Sequence, residues 1–399
     1  MPAEKQRNEM ESFYRTHAYL VEHTNAPVRR DLMDEIDWSD RLIGIKGTRG
    51  VGKTTFLLQY AKEKFGTDRS CLFINMNNFY FSGHSIVDFA NEFQKRGGKV
   101  LLIDQVFKHP EWSKELRMCY DRFPSLKIVF TGSSVMRLKE ENLELRDIAK
   151  SYNLRGFSFR EFLNLQTGMK FRAYSLEEIL STHEQIAKGV LSKVRPLDYF
   201  QDYLHHGFFP FFLEKRNFSE NLLKTMNMMV EVDILLIKQI ELKYLSKIKK
   251  LLYLLAVDGP KAPNVSQLAS DVQTSRATVM NYIKYLADAR LINLVYPKGE
   301  EFPKKPSKIM MHNSNLMYSI YPVKVEEQDV LDTFFVNTLW KDHKVHKGDK
   351  NVSFMVDEVM PFKICAEGTK IKNNPDVTYA LQKAEIGRGN QIPLWMFGF

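Results

Sequence analysis

The residues Gly47-Thr48-Arg49-Gly50-Val51-Gly52-Lys53-Thr54 satisfy the pattern G-x-x-x-x-G-K-[ST] at every fixed position. Glycines at this spacing let the chain fold back tightly, so that successive backbone N–H groups converge on an anion. The ammonium of Lys53 would reach the outer phosphates of ATP, and the hydroxyl of Thr54 is an oxygen ligand for Mg²⁺. Gly47 through Thr55 therefore form the candidate nucleotide-binding stretch. About fifty residues further on, the apolar run Val100-Leu101-Leu102-Ile103 ends in Asp104, a carboxylate suited to the metal shell, through a water. The next residue is Gln105. A carboxylate at that position can orient and polarise an attacking water, whereas a neutral amide of similar shape is a far weaker base. The expectation is that nucleotide binds and that hydrolysis is slowed by ~10²-fold or more. A natural, switch-like site and a Glu-to-Gln substitution that traps the bound state both fit this residue.

Such chemistry needs a strand before the loop and a helix after it. Arg41-Leu42-Ile43-Gly44-Ile45 reads as a short buried strand. Thr55 to Ala61 opens a helix whose positive N-terminal end faces the same phosphates. Between 41 and 156, strand-like runs at 42–46, 71–75, 100–104, 127–131 and 151–155 alternate with spacers long enough for crossover helices. That pattern predicts an α/β core, a parallel sheet covered on both faces. The fourth strand leaves through Gly132-Ser133-Ser134. Ligands gather at the third and fourth strand ends in such a sheet, so Thr131 or Ser133 is a candidate hydroxyl near the γ-phosphate or the attacking water. The alternative is a simple turn and helix cap.

The 399 residues predict two to four domains, and a hydrophobic content of 44% is ordinary for a globular chain. No apolar run is long enough to span a bilayer, and Met1 to Arg15 lacks an apolar signal core. Cys71, Cys119 and Cys365 are too scattered for a disulfide framework or a zinc site. Together these features predict a cytoplasmic protein. The net charge of +9 is uneven: residues 241–310 hold twelve Lys and Arg against six Asp and Glu, a surplus compatible with nucleic acid or with solubility alone.

Residues 1–40 read as a helical lead-in with no identifiable chemistry, 41–156 as the P-loop core, and 157–245 as a helical lid. The lid is interrupted by the aromatic cluster Gly207-Phe208-Phe209-Pro210-Phe211-Phe212-Leu213. Residues 246–297 read as a winged helix-turn-helix: a buried helix with Leu251, Leu252, Leu254 and Leu255, a short helix over 265–272, and a turn with Ser275 as N-cap. A longer helix from Arg276 to Ala289 and a strand at 291–296 complete it. Its second helix would offer Arg276, Thr278, Asn281 and Lys284 to the major groove of double-stranded DNA. Winged helices also serve as protein–protein modules. Residues 298–310 read as a Lys/Pro-rich linker. Residues 311–399 alternate strands and turns, with Ser353–Asp357 and Pro361–Cys365 as neighbouring strands. Asp357 followed by an acidic-x-Lys strand would make a metal-dependent nuclease core. Here Lys363 and Cys365 occupy the second strand while Glu367 and Lys370 lie beyond it, which predicts an inactive nuclease-like domain.

As a set these segments resemble the prokaryotic AAA-type ATPases of Bacteroides-like bacteria and archaea. Those proteins join a P-loop domain to a winged helix and a C-terminal nuclease-like domain of unknown function. The resemblance is carried by Arg41–Thr55, Leu101–Asp104, Phe130–Ser134, Gly156–Phe162, Gly207–Pro210 and His312–Leu316. It implies a five-stranded sheet with a helical lid, a sensor role for Ser133 or Thr131, Mg²⁺ and ATP as cofactors, and a homo-oligomer whose site takes an arginine from a neighbour. Arg146 and Arg155 are the nearest arginines, without a firm motif. Where the family has Asp-Glu-Val-His, this chain has Asp104-Gln105-Val106-Phe107.

Overall fold

The computed structural model describes residues 2–136, 142–214, 217–371 and 374–399, with side chains from Asn8 onward. The chain divides into two compact units, Met1–Arg155 and Gly156–Phe399.

The first unit opens with helix α1 (Pro2–His23) and the short α2 (Leu32–Glu35), followed by strand β1 (Leu42–Gly47) and α3 (Lys53–Lys64). Strand β2 (Cys71–Asn75), α4 (Ile86–Lys95), β3 (Val100–Asp104), α5 (Trp112–Arg122), β4 (Lys127–Ser133) and β5 (Lys150–Asn153) complete it. The strands form one parallel sheet in the order β2-β3-β4-β1-β5. β1, β3 and β4 are near-continuous apolar runs because both of their faces are covered: Ile43, Ile45, Leu101, Leu102, Ile103, Val129 and Phe130 are wholly buried. Helix α3 lays Phe56, Leu57 and Ala61 into this core and packs on β1, β2 and β3. It begins at Lys53, two residues earlier than its apolar pattern suggests, so the last two residues of the glycine-rich motif are already helical. Helix α1 packs on β2 and α3, and the backbone N–H of Phe73 in β2 donates to Nδ1 of His17 at 3.0 Å.

The second unit begins with α6 (Phe159–Thr167), α7 (Leu176–Leu191), α8 (Leu197–Asp202), α9 (Phe218–Met228) and α10 (Leu235–Lys238). Ser158 starts α6 with a full capping box closed by Glu161. The aromatic segment 207–213 is largely core: Phe208 and Phe209 are buried, and Phe212 lies 5.2 Å from the ring of Phe162. Next come α11 (Leu245–Asp258), α12 (Val265–Asp271), α13 (Arg276–Asp288), and a hairpin of β6 (Ile292–Val295) with β7 (Lys308–Met311). Ser275 caps α13 by accepting from the Thr278 N–H, and Val279, Ile283 and Leu286 form its buried face. The last three residues of the expected linker, 308–310, are strand, because they pair with β6.

Helices α14 (Ser314–Ile320) and α15 (Glu327–Leu339) precede the strands β8 (Val345–Lys347), β9 (Phe354–Val356), β10 (Met360–Cys365), β11 (Thr378–Leu381) and β12 (Gln391–Pro393). These strands form a mixed sheet in the order β12-β11-β10-β9-β8, antiparallel across β8-β9-β10 and parallel across β10-β11-β12. A buried polar knot holds α14. Asn315 donates to the carbonyls of Leu204 (2.9 Å) and Tyr203 (3.2 Å) and accepts from the Phe208 N–H (3.0 Å), while Ser314 donates to the Leu204 carbonyl (2.6 Å). Among the described residues, no helix is long and apolar enough to cross a membrane.

Candidate functional site

The C-terminal ends of the parallel strands gather the chemistry of the first unit. β1 runs into the glycine loop, where Gly50 and Gly52 take positive φ values of 86° and 93° that only glycine adopts without strain. Gly47 is required for another reason: a Cβ there would lie 2.4 Å from the Leu154 carbonyl oxygen. Lys53 sits at the start of α3 and its Nζ donates to the carbonyls of Gly47 and Thr48, both at 2.8 Å. Its ammonium is thereby held within the loop that the sequence assigns to phosphate.

Asp104 is almost wholly buried, and its carboxylate is ringed by neutral donors. The Thr54 hydroxyl and the Asn75 amide both donate to Oδ2 at 2.8 Å, and the Thr131 hydroxyl donates to Oδ1 at 2.6 Å. The loop hydroxyl and the acidic strand end, fifty residues apart, are thus in direct contact. A hydroxyl and a carboxylate are hard oxygen donors of the kind Mg²⁺ takes alongside water and substrate phosphates, so the residues present fit that ion. Among the described residues there is no cluster of three or more His, Cys, Asp or Glu that could hold a metal unaided.

Gln105 follows in a left-handed conformation, φ 55° and ψ 48°, with its N–H donated to Thr131 Oγ1 at 2.9 Å. The Thr131 hydroxyl therefore serves two neighbours, Asp104 and the Gln105 backbone. Ser133, buried at the end of β4, pairs in register with Gly47 at the mouth of the loop. Ser133 is thus in register with the loop, and Thr131 holds the acidic strand end.

Two residues at this site escape the sequence reading. Asn75, the last residue of β2, stands opposite Asp104 in the β2–β3 register; its position at a parallel strand's C-terminal end was the available signal. Arg30, from the lead-in, donates to the Val51 carbonyl inside the glycine loop at 3.2 Å and to the Arg155 carbonyl at 2.7 Å. No local pattern marks it. Arg146 is exposed beyond the turn Leu143–Leu145.

In the second unit, Arg276 and Asn281 are exposed on α13, whereas the Thr278 hydroxyl is within 2.8 Å of Ser275 Oγ and Lys284 pairs with Asp288 at 2.7 Å. The local basic surplus is largely matched by acids: Lys243, Lys249, Lys261, Lys298, Lys304 and Lys308 also sit in ion pairs. Asp357 lies in the hairpin turn after β9 at φ 47°, where its carboxylate takes the His343 ring at 2.6 Å and the Lys344 N–H at 2.8 Å. Burial works to raise its pKa, but these hydrogen bonds win and hold it below the usual carboxylate range. Lys363 is aligned with Tyr379 on β11, and Cys365 is buried against Val377 and Tyr379. Glu367 and Lys370 are exposed beyond the strand.

Comparison with known proteins agrees with this geometry. Residues 39–163 match the family model of an AAA domain, and residues 197–324 match a domain of unknown function, DUF8612. The five-stranded parallel sheet and glycine loop of the first unit thus lie within a segment similar to AAA domains. The chain is similar to two uncharacterised proteins of Methanocaldococcus jannaschii. It is 29% identical to MJ1637 over 65% of this chain and 57% of that protein, and 27% identical to MJ1544 over 63% and 55% respectively. The chain therefore spans little more than half the length of these curated relatives. Among solved structures, the Aeropyrum pernix ORC1 protein in complex with DNA overlaps 78% of this chain and 92% of its own at 10% identity and a TM-score of 0.32. AMPPCP-bound DnaA from Aquifex aeolicus overlaps 62% and 82% at 13% identity and a TM-score of 0.26. Overlaps this loose carry no inference about activity.

Proposed function

We propose that this chain is a Mg²⁺-dependent ATP-binding protein of the AAA type whose hydrolysis is slowed by Gln105. In this reading its nucleotide state controls a winged-helix module over residues 246–297 and an inactive nuclease-like domain over residues 311–399. The observation that supports it most is the 2.8 Å contact between Thr54 Oγ1 and Asp104 Oδ2, which joins the loop and the acidic strand end in one site. Lys53 binds the outer phosphates, Thr54 and Asp104 present oxygens to the metal, and Ser133 lies where a hydroxyl can meet the terminal phosphate. Bound Mg²⁺ would neutralise charge on the phosphates. Gln105 can hydrogen-bond an attacking water but is a poor acceptor for its proton. The setting is cytoplasmic and the assembly a homo-oligomer, with a neighbouring arginine completing the site.

The test is calorimetric binding of Mg·ATP together with a turnover assay on this chain and on Gln105→Glu. Tight binding with slow turnover, accelerated in the variant, is expected. No measurable affinity would end the proposal.

A second reading makes the chain a non-hydrolysing nucleotide-gated switch that binds DNA or protein, with the bound state prolonged by Gln105. Exposed Arg276 and Asn281 on α13 favour DNA as the partner. Absence of turnover in both forms, with duplex binding that weakens steeply with salt, would select it. A DNA-cleaving activity is disfavoured, because His343 and Lys344 occupy the carboxylate of Asp357.

A further inference from the structure

We propose that Arg30 is a positioning residue for the phosphate loop, so that the segment leading from α1 tunes affinity for the nucleotide. The inference rests on the reading that this loop binds Mg·ATP.

A phosphate loop works only if its N–H groups turn inward and its carbonyls turn away. Val51 lies in the middle of the motif and is wholly buried, so its outward carbonyl needs a donor or must rotate toward the phosphates. Arg30 supplies that donor at 3.2 Å. The other arm of the same guanidinium grips the Arg155 carbonyl at 2.7 Å, just beyond β5, the strand paired with β1. One planar fork thereby ties the loop to the exit of the adjacent strand. Lysine, with a compact ammonium on a flexible stem, lacks that fixed two-armed geometry.

The fork is itself held in place. Arg30 is only 8% exposed. Its neighbour Arg29 pairs with Asp34 at 2.5 Å and with Glu63, near the far end of α3, at 3.2 Å. Lys62 of α3 donates to the carbonyls of Glu22 and Thr24. The lead-in is thus fastened at both ends of the helix that the loop opens: through Arg30 at the start and through Arg29 and Lys62 at the finish.

The experiment uses the full chain and its Arg30→Ala, Arg30→Lys and Arg69→Ala variants. Arg69 pairs with Glu11 on the surface and serves as the control. Affinity for Mg·ATP is measured well below each variant's melting temperature, which is recorded separately without nucleotide. Arg30→Ala should weaken binding roughly tenfold, the scale of one hydrogen bond to a charged group. KM for ATP should rise while kcat holds. Arg30→Lys should fall in between, and Arg69→Ala should stay within about twofold of the parent chain, as an exposed pair does. Folded Arg30→Ala with parental affinity would overturn the inference. If Arg30→Ala does not fold, parental affinity in Arg30→Lys overturns it instead. A parental chain that binds no Mg·ATP defeats the functional reading itself, and the inference with it.

Discussion

Asp104 and Asp357 both follow short apolar strands, the first expected to hold a metal and the second to belong to an incomplete nuclease-like constellation, and their surroundings differ in kind. Asp104 ends a central parallel strand and is held by Thr54, Asn75 and Thr131, three neutral side chains. Such donors satisfy a buried carboxylate without cancelling its charge, so it still attracts a cation. Asp357 lies in a hairpin turn and is engaged by an imidazole and a backbone N–H, contacts that lock the turn and use the charge locally. The comparison teaches that an acidic strand end becomes a site through what its neighbours leave available.

The contrast can be tested, beginning with the largest effect. Lys53→Ala should lower Mg·ATP affinity by ~10²-fold or more through loss of a charge-assisted phosphate contact, whereas Asp357→Ala should leave it within about twofold, by calorimetry. Equal losses in both would erase the distinction. Gln105→Glu should raise turnover by ~10²-fold in a phosphate-release assay, and an unchanged rate would remove position 105 from the water-activating role.

Asn315→Ala tests a polar knot with no ligand role. It removes the donor to the Tyr203 and Leu204 carbonyls and the acceptor of the buried Phe208 N–H, so urea unfolding should show a loss of about 3 kcal/mol with nucleotide affinity intact. A gentler effect belongs to His17, whose pKa is lowered by burial. The unfolded chain then takes up the proton more readily than the folded one, so stability is complete above ~6.5 and declines as pH falls below it. Denaturation midpoints at neutral and mildly acid pH should differ by about 1 kcal/mol or less and converge in His17→Asn, which keeps an acceptor. An identical slope in the variant would assign the effect elsewhere. The smallest effect is the stability cost of Asp357→Ala, under about 1 kcal/mol for a half-exposed turn carboxylate. Because its folded pKa is lowered, that contribution is present above the ordinary carboxylate pKa of ~3.9 and is lost as pH falls through the folded value.

The sheet was legible because buried parallel strands are written as unbroken apolar runs, and each of the five expected runs is a strand within a residue or two at either end. The loop was legible because its chemistry depends on residue types at fixed spacing. The rest depends on distance in space. Asn75 acquires meaning only from its register beside Asp104, and Arg30 only from a chain path that returns to the loop it precedes. His312 to Leu316 showed a similar limit: four polar residues in a row look like chemistry, but they are buried and cap helices and backbone carbonyls. The turn at Asp357 was not legible either, because a residue at positive φ in a turn and the last residue of a strand carry the same letter.

The bond from Phe73 to His17 has a consequence for the protein among its own copies. β2 is an outermost strand of its sheet, and such a strand offers a row of backbone donors and acceptors on which another molecule's strand can build. Helix α1 lies along β2, and its histidine occupies one of those donors. The helix therefore works as a guard against edge-to-edge aggregation, and its loss would be felt as insolubility before it was felt as a change in the fold.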